Sequence, residues 1–168
     1  MLSTRTVLNI LFIIRIILSY ATLFLTPWPP YVKVILVILL DMLDCGVVPK
    51  MMGLYPQGTP CGTEYYQMAD KVIDVIITAL MFWYLKTNGL LSDTEYNTIT
   101  YLFVYRIIGV LLFLRTKDRR YLIYFPNICL ELALLFSVLR HYDLPYHPAY
   151  FVGVLAFKIA QEIHLHGQ

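Results

Sequence analysis

Four aspartates are the residues of this sequence best placed to do chemistry. Asp41 and Asp44 stand three apart in Leu39-Leu40-Asp41-Met42-Leu43-Asp44-Cys45-Gly46. Asp70 and Asp74 stand four apart in Met68-Ala69-Asp70-Lys71-Val72-Ile73-Asp74. On a helix either spacing puts both carboxylates on one face. Two antiparallel helices joined by a short loop would bring the two faces together. Four carboxylates at one depth repel one another unless cations lie between them, and an oxygen-only site suits Mg²⁺ or Mn²⁺. One or two such ions can neutralise a pyrophosphate and activate an attacking hydroxyl.

The plainer reading of each aspartate is a structural ion pair, and Arg15, Arg106 and Lys71 are the cations at hand. Two facing pairs at helical spacing favour a shared site over separate salt bridges. Arg15, Arg106, Glu131 and Lys158 also lie inside apolar segments. There they either line a polar cavity, with Arg106 as a phosphate contact, or pair among themselves, as Arg106 with Glu131 would. His141, His147, His164 and His166 fall two on each side of the membrane in the topology below, which speaks against a shared metal. Cys45, Cys61 and Cys129 provide no disulfide framework and no Cys-x-x-Cys pair for zinc. The glycines at 53, 58 and 62 lack the Gly-Lys-Ser/Thr spacing of a phosphate loop.

The elements that must position these groups are membrane-spanning helices. Hydrophobic residues make up 59% of the 168, charged residues only 14%, and the mean hydropathy is +0.66. A soluble domain carries about 25% charged residues, so this composition excludes an ordinary soluble fold. A net charge of +2, with no basic aromatic face, does not suggest a nucleic-acid partner. Spanning helices need roughly 20 mainly apolar residues. Six segments approach this: 7–25, 31–48, 67–85, 98–114, 121–139 and 149–163. Prolines and glycines punctuate the intervals, and tyrosines gather where segments end, as interfacial aromatics do. The first segment carries Arg15 and runs into Pro27-Trp28-Pro29-Pro30 rather than a cleavage site, so it reads as a retained helix and not a signal peptide. With the N-terminus in the cytoplasm, Arg5, Lys50, Arg115, Lys117, Arg119 and Arg120 lie inside, against Lys33, Lys86 and Arg140 outside. That bias puts the 49–62 loop on the cytoplasmic side. The expectation is one all-α domain over 1–168, six helices bundled around a polar, cytoplasm-facing cavity, with the chemistry between residues 41 and 74.

Asp41-x-x-Asp44-Cys45-Gly46-Val47-Val48-Pro49-Lys50, followed by Gly62-x-x-x-Tyr66-x-x-x-Asp70-Lys71, resembles the signature of the CDP-alcohol phosphotransferase (phosphatidyltransferase) family. That signature, D-x-x-D-G-x-x-A-R-x8-G-x-x-x-D-x-x-x-D, crosses the second and third of six transmembrane helices. Here the glycine after the first pair is displaced by one, Ala-Arg reads Pro49-Lys50, and three extra residues precede Gly62. Tyr66 stands where the third aspartate belongs. A second alignment takes Asp70 and Asp74 as the third and fourth aspartates, keeping four carboxylates but losing Gly62. Sequence alone leaves both open. The resemblance implies divalent metal, Mg²⁺ or Mn²⁺, held by Asp41, Asp44, Asp70 and Asp74, and a base at Asp70 or Asp74. It implies contacts to a CDP-linked lipid from Gly46, Lys50, Gly62 and Tyr66, with Arg106 as a further phosphate contact. The implied reaction transfers a phosphatidyl group from a CDP-alcohol such as CDP-diacylglycerol to an acceptor alcohol in phospholipid synthesis, with release of CMP. The family also implies a homodimer. Loss of the third aspartate makes a non-catalytic membrane scaffold the alternative, and a small cation transporter ranks third for want of a repeat or broken-helix pair.

Overall fold

The computed structural model describes residues 3–41, 61 and 63–166, with side chains through Gln161. The described residues form helices and no strand. They divide into two units, Met1–Leu80 and Met81–Gln168.

In the first unit, α1 spans Thr4–Leu25. It begins at Ser3, whose hydroxyl accepts from the Thr6 backbone N–H at 3.1 Å, the capping arrangement that supplies a partner for an orphan amide. Leu8, Phe12, Arg15, Ser19 and Leu23 are its buried residues, and steps of three and four keep them on one face. Ile10, Ile13, Ile14, Ile17 and Leu18 are exposed on the other side. So wide an apolar face suits lipid and not water. Thr26 to Pro29 turn the chain into α2, Pro30–Leu40, with Pro30 at the first helical position, where the missing N–H costs nothing. Lys33 is buried on α2 and its Nζ donates to the Leu23 carbonyl at 2.9 Å, satisfying an acceptor at the end of α1.

Helix α3 spans Glu64–Thr87 and enters the second unit near its end. Its first half packs on α1: Tyr65, Tyr66, Ala69 and Ile73 cover the Leu8–Phe12 cluster.

In the second unit, Gly89 at φ 63° ends α3, with the Leu90 N–H donating to the Leu85 carbonyl at 3.0 Å. Ser92 and Glu95 then form a capping box that starts α4, Asp93–Thr116. The fifth segment, expected as one helix over 121–139, is divided. A short α5, Arg120–Tyr124, is separated by Phe125 to Ile128 from α6, Cys129–His141. Pro126, which lacks an N–H to continue the ladder, lies in that break. Side chains of α4 take up the carbonyls that the break leaves over. The Tyr105 hydroxyl donates to the Tyr124 carbonyl at 2.7 Å, and Arg106 Nη1 donates to the Phe125 carbonyl. Gly109 faces the same turn, where a Cβ would run into the Phe125 side chain. Helix α7, Pro148–His166, completes the chain, and α6 packs between α4 and α7.

Three stretches are long and apolar enough to cross a membrane: Thr4–Leu25, Asp93–Thr116 and Arg120–His141, the last including the break. Pro30–Leu40 and Pro148–Gln161 are shorter apolar helices. The end of the second expected segment, beyond Asp41, lies outside the described residues. Cys61 is disulfide-bonded, which corrects the expectation of no disulfide.

Candidate functional site

The aspartates meet in the first unit, and the register of its helices explains how. The contacts between α1 and α3 advance together along the two helices. Arg5 lies over the Tyr65 ring, Phe12 stacks on Tyr66, and Arg15 reaches Asp70 and Asp74. The two helices therefore run in the same direction. Helices α1 and α2 run opposite ways: Leu23 meets Lys33, and eight residues back along α1 and forward past the end of α2, Arg15 meets Asp41. Arg15 thus lies at the level where the end of α2 and the middle of α3 both face α1.

Its guanidinium joins all three aspartates. Nη2 is 2.6 Å from Asp41 Oδ1 and 2.8 Å from Asp74 Oδ1, and Nη1 is 3.2 Å from Asp70 Oδ1. Lys71 adds a second cation, with Nζ 2.6 Å from Asp70 Oδ2 and 3.3 Å from Asp74 Oδ2. Carboxylate oxygens of Asp41, Asp70 and Asp74 lie within 4.8 Å of one another. The Asp70 and Asp74 side chains are 10% and 15% exposed and that of Asp41 is 58% exposed, so the cluster opens to the outside at Asp41.

These positions test whether a divalent cation fits. An octahedral Mg²⁺ holds oxygens at about 2.1 Å, so that ligands stand up to about 4.2 Å apart. The three oxygens, within 4.8 Å of one another, are spread wider than that shell. The donor set is all oxygen, which is the right chemistry for Mg²⁺ or Mn²⁺. As arranged, those oxygens are met by cations of the chain itself, Arg15 on Asp41, Asp70 and Asp74 and Lys71 on Asp70 and Asp74.

Of the residues the sequence singled out, Asp41, Asp70 and Asp74 come together, while Asp44, Gly46, Lys50 and Gly62 lie outside the described residues. Tyr66 is on the apolar side of α3, its ring centroid 5.9 Å from that of Phe12, one turn before Asp70. Arg106 belongs to the second unit, where it is buried and bonds the Phe125 carbonyl. Glu131 pairs with Lys158 at 2.9 Å, so the expected alternative of an Arg106–Glu131 pair is not the one formed. The Nδ1 of His147 accepts from the Ala149 N–H within its own turn. Sequence reasoning had Arg15 as one possible partner of one aspartate. That it serves three at once was signalled only by a lone arginine in the middle of an apolar run.

Comparison with protein-family models, with curated proteins and with solved structures gave no match.

Proposed function

We propose that this chain is a metal-dependent transferase of the CDP-alcohol phosphotransferase kind, acting within a membrane. The observation that supports this reading is the convergence of Asp41, Asp70 and Asp74 from two helices onto one partly open point. In the proposed reaction the acceptor's hydroxyl oxygen attacks the phosphorus that carries the diacylglycerol. The bond from that phosphorus to the CMP oxygen breaks, CMP leaves with the electron pair, and the hydroxyl proton passes to a carboxylate. Bound Mg²⁺ or Mn²⁺ would supply the charge that neutralises the diphosphate. Asp74 and Asp70, on one face of α3, are the groups in reach of that proton. Their positions favour the alignment in which they stand third and fourth, since Tyr66 points to Phe12. The surrounding architecture in this reading is six spans around a polar cavity, with the 49–62 loop in the cytoplasm and a homodimer as the assembly.

The test is CMP release by the purified chain with CDP-diacylglycerol, Mg²⁺ or Mn²⁺ and a panel of acceptor alcohols, beside Asp74→Asn and Asp70→Asn. Metal-dependent CMP that drops by at least about 100-fold in either variant is the expected result, the usual contribution of a general base. No CMP with any acceptor, from folded protein, favours a second reading, a membrane scaffold of the same fold. One observation speaks for it: five carboxylate oxygens of the three aspartates already face a cationic nitrogen of Arg15 or Lys71.

A further inference from the structure

The two long apolar stretches of the second unit are joined by a turn that is both short and basic. Helix α4 ends at Thr116 and the next stretch opens at Arg120, so only Lys117, Asp118 and Arg119 lie between them. Lys117 closes α4 in the left-handed region at φ 62°, its N–H donating to the Phe113 carbonyl at 2.8 Å. Three residues reach about 11 Å when fully extended, and less when they turn. The headgroup layer is roughly 5–8 Å deep on each side of the hydrocarbon. If the two stretches cross a bilayer, the side chains of this turn are held at the depth of the lipid phosphates.

All six residues from Arg115 to Arg120 are exposed. Arg115, Lys117, Arg119 and Arg120 are cations and Asp118 is the one acid among the six, which leaves the turn at +3. Asp118 is engaged at the start of α5, where its Oδ1 accepts from the Arg120 N–H at 2.9 Å and lies 3.9 Å from Arg120 Nε. The opposite end of α4 is balanced one to one: Lys86 pairs with Asp93 at 3.3 Å and Arg140 with Glu95 at 3.5 Å. On the apolar side of the turn, Ile108 and Leu111 of α4 and Tyr124 of α5 are exposed. A phospholipid with an anionic headgroup matches both parts of this surface, its phosphate meeting the cations and its acyl chains the apolar side chains.

We propose that the Arg115–Arg120 turn is a docking surface for anionic phospholipid headgroups in the membrane that the chain spans. The inference rests on the membrane setting of the reading above and not on its transferase chemistry. Guanidinium groups hold phosphate oxygens through paired N–H donors, and Lys117 adds a compact charge. A zwitterionic headgroup brings its own cation into the same layer and gains less from the turn. Each Lys or Arg at a membrane surface favours anionic lipid by about fivefold.

The measurement is photo-crosslinking of the full chain, reconstituted in phosphatidylcholine vesicles, to photoactivatable phosphatidylglycerol or phosphatidylcholine at equal mole fraction. Mass spectrometry maps the adducts. At residues 104–124 the phosphatidylglycerol probe is expected to exceed the phosphatidylcholine probe by at least about fivefold. Replacing Arg115, Lys117, Arg119 and Arg120 together by Gln should bring the two probes to parity, and Lys86→Gln with Arg140→Gln should leave the ratio unchanged. Parity in the inserted wild type, or a preference that survives the fourfold replacement, overturns the inference and leaves the membrane setting standing. A preference abolished by Lys86→Gln with Arg140→Gln overturns it too. If the fourfold variant does not fold, the wild type in 1 M NaCl decides, since screening there acts over about 3 Å. A ratio that falls toward parity is expected, and an unchanged one overturns the inference. A folded chain that does not enter vesicles removes the membrane setting and the inference with it.

Discussion

Arg15 contacts carboxylates at 2.6, 2.8 and 3.2 Å from a helix whose other buried residues are mostly apolar, and this sets what substitutions there will do. Removing one member of a buried ion set strands the rest, at about 3–5 kcal/mol. Arg15→Leu is expected to lower the detergent-solubilised melting temperature more than Asp41→Asn, since it leaves three carboxylates together while Asp41 is open to solvent. Parallel thermal melts of the two variants check the order. Tyr66 yields a second prediction. A carboxylate at this position would face Leu8 and Phe12 instead of the other aspartates. Tyr66→Asp, which places the aspartate of the resembled signature at this position, should therefore cost stability and raise no activity. Higher CMP release in that variant would refute the register proposed here.

The helices differ in how they handle their ends, and the broken stretch Arg120–His141 is the clearest case. In an apolar environment every backbone carbonyl needs a partner from within the protein. Tyr105, Arg106 and Gly109 lie on one side of α4, two supplying donors to the break and the third supplying room. Gly109→Val should destabilise the chain by about 1–3 kcal/mol through overpacking against Phe125. Arg106→Met should do comparable harm by leaving the Phe125 carbonyl without its donor, at about 1–3 kcal/mol. Denaturant titrations in micelles, read against an exposed control such as Tyr101→Phe, measure both. The same helix explains why the break was not legible beforehand. Residues 121–139 read as one apolar run with a single proline, and whether such a proline kinks or divides a helix depends on which neighbour can satisfy the freed groups. The start of α4 falls five residues before the expected 98, where Ser92 and Glu95 form a capping box.

For the whole molecule, the exposed apolar faces of α1 and α4 are the physical case for a membrane. On α4, Tyr101, Val104, Tyr105, Ile108 and Leu111 recur at helical spacing and are all exposed. The basic residues around Arg115 to Arg120 predict an orientation with that turn on the cytoplasmic side. Asp118→Cys should react with an impermeant maleimide only after the cytoplasmic side is opened, and Asp143→Cys should react from the other side, each in a Cys129→Ala background. The same experiment bears on Cys61. Cys61 is disulfide-bonded and disulfides persist in oxidising compartments, whereas the charge bias predicts a cytoplasmic side for residues 49–62. Labelling from the reverse sides would turn the topology over and agree with the disulfide.

The sequence by itself determined the helical class, the long apolar runs and the identity of the acidic residues, because each follows from local composition or spacing. Long apolar runs have few alternatives to a helix in lipid, and carboxylates three or four apart share a face whatever surrounds them. Tertiary structure alone decided the partners. Asp70 and Asp74 fall opposite Arg15 because α1 and α3 run in the same direction in this register, and Tyr66 is turned to Phe12 by that same register. Lys158, and not Arg106, meets Glu131 because α6 packs against α7, while Arg106 is engaged at the break before α6. Long side chains choose among several charges within reach, and the choice depends on the relative register of helices far apart in sequence, which no local pattern encodes.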